Sequence, residues 1–558
     1  MSGDRYFSVI TRPPSPPTWF EEFDLALSFR LLLLLSLLVL TPAHAWAADE
    51  PQDRQETVTF FESGVIAELK LVIKEESQQK LRDAPRDYTR CTLIENGTTT
   101  LKSVGVKLKG AAGSYRDFDD RPGLTLNLDK YKKGQLWHGM EKLHLNNAVQ
   151  DETFLSEWLG SEMFREAGIP TPRVGHVHLW INDRDMGLYV LREGFDGPYF
   201  KREFPGSKGG NFYDSGLCQD IDCELEMDIG DDPDNRSDLI GLAAACYHPD
   251  PQIRRQLIAE RLDMDQFLTF MAVERLCGHW DGYTLNTNNY RVFFPATEKG
   301  FFLPHGMDQL FGDSHAGLYD HSNSLLALAV LQNDQWREQY RERLRKLAPV
   351  LRPVDRWTAK IDEQRDRLKP ILESVNADQA AAHQDRISEL KDRLTQRAEA
   401  LEDLIENGLP QLIEFDEDGT AELTDWSANV EAEEAKLEEV DMAGVASYSI
   451  TRELYGDYSS SWRRQVLLPK GNYRFEARIK TDNVIPIPDD QGRGAGIRSQ
   501  QSPRENSLVG THDWQTVSYE IAVPEDQRQV ELSLELRARN GSAWFDRGSL
   551  RIRKVERE

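Results

Sequence analysis

The stretch GHWDGYTLNTNNYRVFF, from Gly278 to Phe294, sets one His, one Asp and three Asn beside Trp280 and Tyr283, then runs into a segment of strand-forming residues. Phosphoryl-transfer loops of the form H-R-D-x-x-x-x-N use the Asp to orient an attacking hydroxyl and the Asn to hold a metal. His279, Trp280 and Asp281 are followed by Asn286 at that spacing. The segments NYRVFF and GFFLPHGMD, joined by PATEK, form an expected hairpin that returns Asp308 to the neighbourhood of Asp281. Two carboxylates at two strand ends suit Mg²⁺, which needs few protein ligands because it keeps waters and phosphate oxygens. Asp281 is read as the base and Asp308 as the metal holder. MDQLFG is not the D-F-G triplet of protein kinases.

The preceding elements must position this loop. Alternation in TVTFF and IAELKLVI predicts an opening pair of strands, and TLIENGTTTLKSVGVKLKG predicts a hairpin turning at Asn96-Gly97. In its second strand Val106 and Leu108 face one way and Lys107 and Lys109 the other. DETFLSEWLGSEMFREAG reads as a helix capped by Asp151 and Gly168. VGHVHLWI and MGLYVLRE then form a hairpin ending near Glu193. After a loop rich in Gly and Asp, RSDLIGLAAACY, DPQIRRQLIAERL and MDQFLTFMAVERLCG are helical. Strands with lysines, a helix, a hairpin and helices before the Asp281 loop are the order of elements in protein kinases. Trp280 and Tyr283 read as core-filling rings, and His279 as a hydrogen-bonding scaffold. Glu162 is one of several helix acids able to pair with a strand lysine, and none is singled out.

The chain has 558 residues, with 94 acidic against 67 basic side chains and a formal charge of -27. That surplus repels polyanions, so no nucleic-acid partner is expected. Arg30, the apolar run Leu31 to Leu40, Pro42 and the small residues Ala43, Ala45 and Ala47 form a secretory leader pattern, cleaved after Ala45 or Ala47. Residues 1–29 mix acids, prolines and aromatics, unlike a leader's basic start, which raises a misassigned start upstream. The run is shorter than the roughly 20 apolar residues of a membrane span, so no stable span is expected. Of five cysteines, Cys218 and Cys223 are near enough in one loop to form a disulfide, and at least one thiol stays free.

Taken together, VGVKLKG with RPGLTLNLDKY, LHLNNAVQDETFLSEWLGSEMFREAGIPTP, HVHLWINDRDMGLYVLREGFD, HWDGYTLNTNNYRVFF and FLPHGMDQLFG resemble the CotH family of spore-coat atypical kinases, in the long form of secreted bacterial proteins. The resemblance covers residues 57–405. It implies a remote kinase fold, ATP with Mg²⁺ or Mn²⁺, and phosphoryl transfer to Ser or Thr of a partner protein on a coat, wall or matrix. By position, Asp281 resembles the family's catalytic acid and Asp308 its metal-binding acid, with Asn286 and Asn289 both candidate metal ligands. Lys109 corresponds to the phosphate-contacting lysine, and Lys107 is a second candidate. Arg121 stands where many relatives have Lys, and Glu193 ends the hinge-like strand; the resemblance makes both candidate cofactor-binding residues. The single Asp of HGMDQLFG departs from the DxD-like ending of some relatives.

Residues 335–405 form a charged helical tail, 406–425 a linker, and 426–558 a run of short alternating strands that reads as an all-β jelly-roll sandwich. That segment resembles carbohydrate-binding modules, with Gly541 to Asp546 in a G-x-x-W-F-D-like ending. Trp462 and Trp514 are its candidate sugar-stacking rings. The expected fold class is therefore α+β, a two-lobed kinase-like domain followed by the sandwich. The expected location is extracytoplasmic: secreted, periplasmic or on the cell surface. The alternative function is a non-catalytic scaffold or adhesin whose sandwich binds glycan.

Overall fold

The computed structural model describes residues 52–555, apart from 112, 297, 321, 431–434, 453–457, 488–492 and 500–505. The leader pattern at residues 1–47 lies outside the described residues. The first element is not a strand but helix α1 (Gln52–Ser63), which contains TVTFF. Adjacent Phe60 and Phe61 both pack against the same core, as neighbours on a helix can and neighbours on a strand cannot.

Seven strands follow: β1 (Ala67–Val72), β2 (Thr89–Glu95), β3 (Thr99–Lys109), β4 (Gly123–Asn127), β5 (Lys142–Asn146), β6 (Val174–Ile181) and β7 (Arg184–Glu193). They close a barrel in the order β1-β2-β3-β4-β5-β7-β6, with β1 and β6 pairing in parallel. Asn96 and Gly97 both take positive φ, 48° and 67°, as the expected tight hairpin requires. Val106, Leu108, Leu124, Leu126, Leu143, Leu145 and Leu191 fill the barrel, which sends Lys107 and Lys109 to its outer face. Helix α2 (Glu75–Asp83) precedes β2, and α3 (Ser156–Glu166) lies between β5 and β6. Asp151 does not cap α3. Its carboxylate accepts the backbone N–H groups of Thr153 and Ser156 and fixes a turn before the helix, which begins four residues later than the cap implied.

The second lobe holds α4 (Gly197–Glu203), β8 (Gly210–Asp214), β9 (Glu226–Ile229), α5 (Ser237–Cys246), α6 (Pro251–Arg261), α7 (Met264–Leu276), α8 (Tyr283–Asn286), β10 (Tyr290–Pro295) and β11 (Phe301–Pro304). The β10–β11 hairpin forms as expected, with Tyr290 opposite Pro304. The loop rich in Gly and Asp instead supplies β8 and β9, completing a sheet in the order β11-β10-β8-β9. Helices α9 (Leu325–Gln332), α10 (Asp334–Leu351), α11 (Val354–Val375) and α12 (Ala377–Asn407) complete the lobe. Among the described residues no helix is long and apolar enough to cross a membrane.

Arg397 of α12 is buried and donates to the carbonyls of Arg275 and Leu276 at the end of α7, and of Ser314 and Ala316 beyond Asp308. One side chain thus ties together the two segments that carry Asp281 and Asp308. Arg397→Met strands several buried carbonyls, and is expected to lower the unfolding free energy by about 3–5 kcal/mol, by analogy with breaking a buried charged network, in urea titration.

Residues 406–425, expected as a linker, include β12 (Thr420–Glu422), and the sheet continues through β13 (Ser427–Val430), β14 (Ala435–Asp441), β15 (Ala446–Arg452), β16 (Tyr458–Pro486), β17 (Gly494–Ser499), β18 (Gly510–Asp546) and β19 (Arg551–Lys554). The long β16 and β18 run in opposite directions and curl over one core. Tyr458 faces Ala538 at one end, and Val484 faces Gly510 at the other. Trp462 lies in that core, 6% exposed, so it is not a sugar platform. Gln529 donates to the Tyr319 carbonyl at 2.7 Å and Arg337 to Gln527 at 2.8 Å, seating the sandwich on the helical lobe.

Candidate active site

The loop between α7 and α8 is built from a buried acid outward. Glu274, near the end of α7, accepts the backbone N–H groups of Tyr283 and Thr284 at 3.1 and 2.9 Å, and burial pushes its carboxyl up to about 7. His279 is buried, with Nε2 3.1 Å from the Gly306 carbonyl. A carbonyl only accepts, so Nε2 carries the proton. Burial lowers this imidazole to about 4, so it is a neutral scaffold joining the Asp281 loop to the loop that leads to Asp308.

Asp281 projects from this frame. Asn288 donates to both of its carboxylate oxygens, at 3.1 and 3.0 Å, and Asn289 donates to one at 2.7 Å and to the Asp281 carbonyl at 3.0 Å. Neighbouring residues on a strand point to opposite sides, but Thr287 and Asn289 take left-handed φ of 51° and 49°, and both amides converge. Asn286, matched by spacing, instead donates to the Trp280 carbonyl at 2.9 Å and does not touch Asp281. Asn288 was not among the expected ligands. Asn289 also packs against Gly306, where an added Cβ would meet its amide, so Asp281 and the Asp308 loop share one wall.

Asp308 follows β11, and burial pushes its carboxyl up to about 7, helped by the nearby charges of Glu157 and Asp151. Lys109, at the end of β3, is lowered to about 8 by burial, against the opposing pull of Glu157 and Asp308. Its ammonium donates to the Asn146 side chain, whose amide donates in turn to Glu157 at the start of α3. Glu157, not Glu162, therefore serves the strand lysine; Glu162 pairs with Lys360 at 3.5 Å. The helical pattern placed several acids on α3, and only the packing of α3 on β5 selects among them. Lys107 lies over the Tyr88 ring at 5.0 Å.

Two expected contacts are not made. Arg121 donates to the carbonyls of Asn147, Met186 and Leu188 and lies over Tyr189, holding backbone rather than facing the cleft. Glu193 is buried and accepts from Arg202 at 2.6 Å and from the Arg173 backbone at 3.2 Å, an ion pair inside the hinge. Tyr283 fills an aromatic core with Tyr290 and Phe302, as expected, whereas Trp280 is 49% exposed beside Asp281. Cys218 and Cys223 are free exposed thiols, not a disulfide. Asp220 between them is anchored inward by the Tyr283 hydroxyl and the Leu325 N–H, and Cys223 Sγ turns to Asp222 at 3.8 Å.

Among the described residues no three His, Cys, Asp or Glu side chains converge to hold a metal unaided. Mg²⁺ with a polyphosphate needs only one or two carboxylates. A carboxyl held up to about 7 among other acids is one that a divalent cation would ionise, so Asp308 with the amide oxygen of Asn289, which lies against Gly306, fits such a cation. Burial brings Lys109 down to about 8, so it gives up its proton more readily than an ordinary lysine. A lysine-selective acylating reagent at about pH 8 should label Lys109 ahead of the surface lysines, with ATP slowing the labelling; mass spectrometry of the digested protein reads both.

A family profile described as CotH kinase protein matches residues 106–401. Invasin CotH7 of Rhizopus delemar is 25% identical over 236 residues, covering 40% of this chain and only 37% of the invasin. Inner spore coat protein H of Bacillus subtilis is 23% identical over 295 residues, covering 49% of this chain and 78% of that protein. Among solved structures, a carbohydrate-binding module of type CBM4 aligns at 19% identity over 22% of this chain and 78% of its own, with TM-score 0.17. The module TmCBM61, in complex with beta-1,4-galactotriose, aligns at 16% over 24% and 91%, with TM-score 0.18. Those scores are too low to carry an argument about ligand. The profile covers the end of the barrel strand that bears Lys109, the loop that bears Asp281 and the turn that bears Asp308, and it extends over more than half of the sequence; the chain belongs to the CotH kinase family.

Proposed function

We propose that this chain transfers the γ-phosphoryl group of ATP to a Ser or Thr hydroxyl of a partner protein. The observation that carries the reading is Asp281, held by two asparagine amides in a loop that shares a wall with the Asp308 turn. Asp281 accepts the hydrogen bond of the incoming hydroxyl and orients its oxygen for in-line attack. Lys109, positioned through Asn146 and Glu157, contacts the phosphates from the barrel side. Asp308, with the amide oxygen of Asn288 or Asn289, would hold Mg²⁺ or Mn²⁺, which supplies positive charge to the polyphosphate. Catalysis on this reading is mostly positioning and electrostatics.

The partner is a protein of a coat, wall or matrix, and the leader pattern in residues 1–47 supports a location outside the cytoplasm. Glycan contact through the sandwich belongs to the same proposal. Its candidate platform is the partly exposed Trp514, whose ring lies 5.2 Å from the Arg478 guanidinium. The test is ATP binding by calorimetry with and without Mg²⁺ or Mn²⁺, together with phosphopeptide mass spectrometry of the purified chain. Metal-dependent binding with phosphate on Ser or Thr supports transfer. A folded chain that binds no nucleotide with either metal leaves the scaffold reading.

A further inference from the structure

The outer face of the barrel carries a polar row. Lys107 on β3 stands opposite Thr125 on β4, Thr125 opposite His144 on β5, and His144 opposite Arg192 on β7. Period-two alternation puts all four on the side away from the leucine-filled interior. Arg192 is 1% exposed. Its Nε lies 3.5 Å from Glu157 and its guanidinium stacks over Phe195 at 5.0 Å, but neither Nη1 nor Nη2 has an acceptor among the described residues.

Buried donors without acceptors are rare in folded proteins, and for a guanidinium the cost is severe. The nearby carboxylates are already engaged: Glu157 accepts from Asn146, and Asp214 pairs with Arg291 at 2.9 Å. Among the other charged groups near this cluster are Arg291 and Lys109, with the buried Tyr199 beside Arg192. Burial first, and then the charges of Lys109, Arg192 and Arg291, hold the His144 and His305 rings well below the ordinary histidine range. His305 Nδ1 is also buried without a partner.

We infer that Arg192, with Lys109 and His305, forms an anion site on the barrel side of Asp308 that grips a phosphoryl group through the two free ends of its guanidinium. The inference rests on the nucleotide reading above and extends it to a residue no motif marked. A planar fork matches two phosphate oxygens at once, which a lysine cannot do. Held between Phe195 and Glu157, the fork is fixed before the ligand arrives, so little side-chain entropy is lost on binding.

The test is calorimetric titration of the full chain with ATP, inorganic tripolyphosphate and adenosine, in the wild type, Arg192→Met and Arg192→Lys. Arg192→Met should weaken ATP and tripolyphosphate by about ten- to a hundredfold, the range for a hydrogen bond to a charged group, and leave adenosine unchanged. Arg192→Lys should recover only part of the loss, and carries the comparison if the Met variant does not fold. ATP binding tighter than tripolyphosphate assigns the phosphoryl group to a nucleotide, and the reverse order assigns it to a free polyphosphate; either supports the site. Folded variants that bind ATP and tripolyphosphate as the wild type does overturn the inference alone. A wild type that binds neither overturns it together with the nucleotide reading.

Discussion

Asp281→Asn should lower phosphate incorporation by about a hundred- to ten-thousandfold, the span of a positioned acid or base, and leave the KM for ATP nearly unchanged. The substitution keeps the size of the side chain and keeps one acceptor for the amides of Asn288 and Asn289, so the loop retains its shape. It removes the negative oxygen that accepts the hydroxyl hydrogen bond. That contact is needed at the moment of transfer rather than for nucleotide binding, and so the loss falls on kcat. Asn286→Ala is the matched control, because Asn286 touches the Trp280 carbonyl and not the carboxylate. Quantitative phosphopeptide mass spectrometry, with melting curves to confirm folding, reads the result. Full incorporation by a folded Asn variant would remove Asp281 from the reaction.

How far the sequence reveals this arrangement depends on whether a residue's role is local. The β10–β11 hairpin, the β6–β7 hairpin and helices α5 to α7 follow from periodicity and turn residues, and the structure contains them. So does the outward face of Lys107 and Lys109, since alternation alone decides it. The segment TVTFF misleads because a run of Thr, Val and Phe suits a strand by propensity, whereas its two phenylalanines share one buried face. Closure of the barrel through β1 and β6 is a contact across about a hundred residues, which no local pattern encodes. The same holds in the site. Spacing found Asp281 and Asp308, but it chose Asn286 where left-handed turns at Thr287 and Asn289 bring in Asn288 and Asn289 instead. Arg121 stands at a cofactor-binding position of the family pattern, yet it donates to three backbone carbonyls. Glu157 and Arg192 were invisible because each gains its role from the strand or helix packed beside it.

Asp308→Asn should abolish the metal dependence of ATP binding while leaving metal-free binding equal or slightly tighter. The reason is the charge balance of the pocket. Without a cation, Asp308 sits near Glu157 and Asp151, with Lys109 opposing, and an incoming polyphosphate meets those acids. A neutral side chain removes one repulsion and one metal ligand together. pH separates the two effects. Burial holds the Asp308 carboxyl up to about 7, above the roughly 3.9 of an unfolded Asp, so the native state binds more protons between those values. Stability from this group is therefore complete below about 4 and is lost as pH rises through about 7. A divalent cation needs the ionised form, so wild-type affinity for Mg²⁺ and ATP should climb about tenfold per pH unit below 7 and level off above it. In Asp308→Asn both slopes should vanish: metal-free melting stops falling between about pH 4 and 7 on account of this group, and nucleotide affinity no longer responds to Mg²⁺. Calorimetry at pH 6, 7 and 8 with matched melting curves measures both. A variant that keeps a Mg²⁺-dependent affinity rising with pH would place the cation on other residues, and would leave Asp308 as a buried acid whose proton the fold retains.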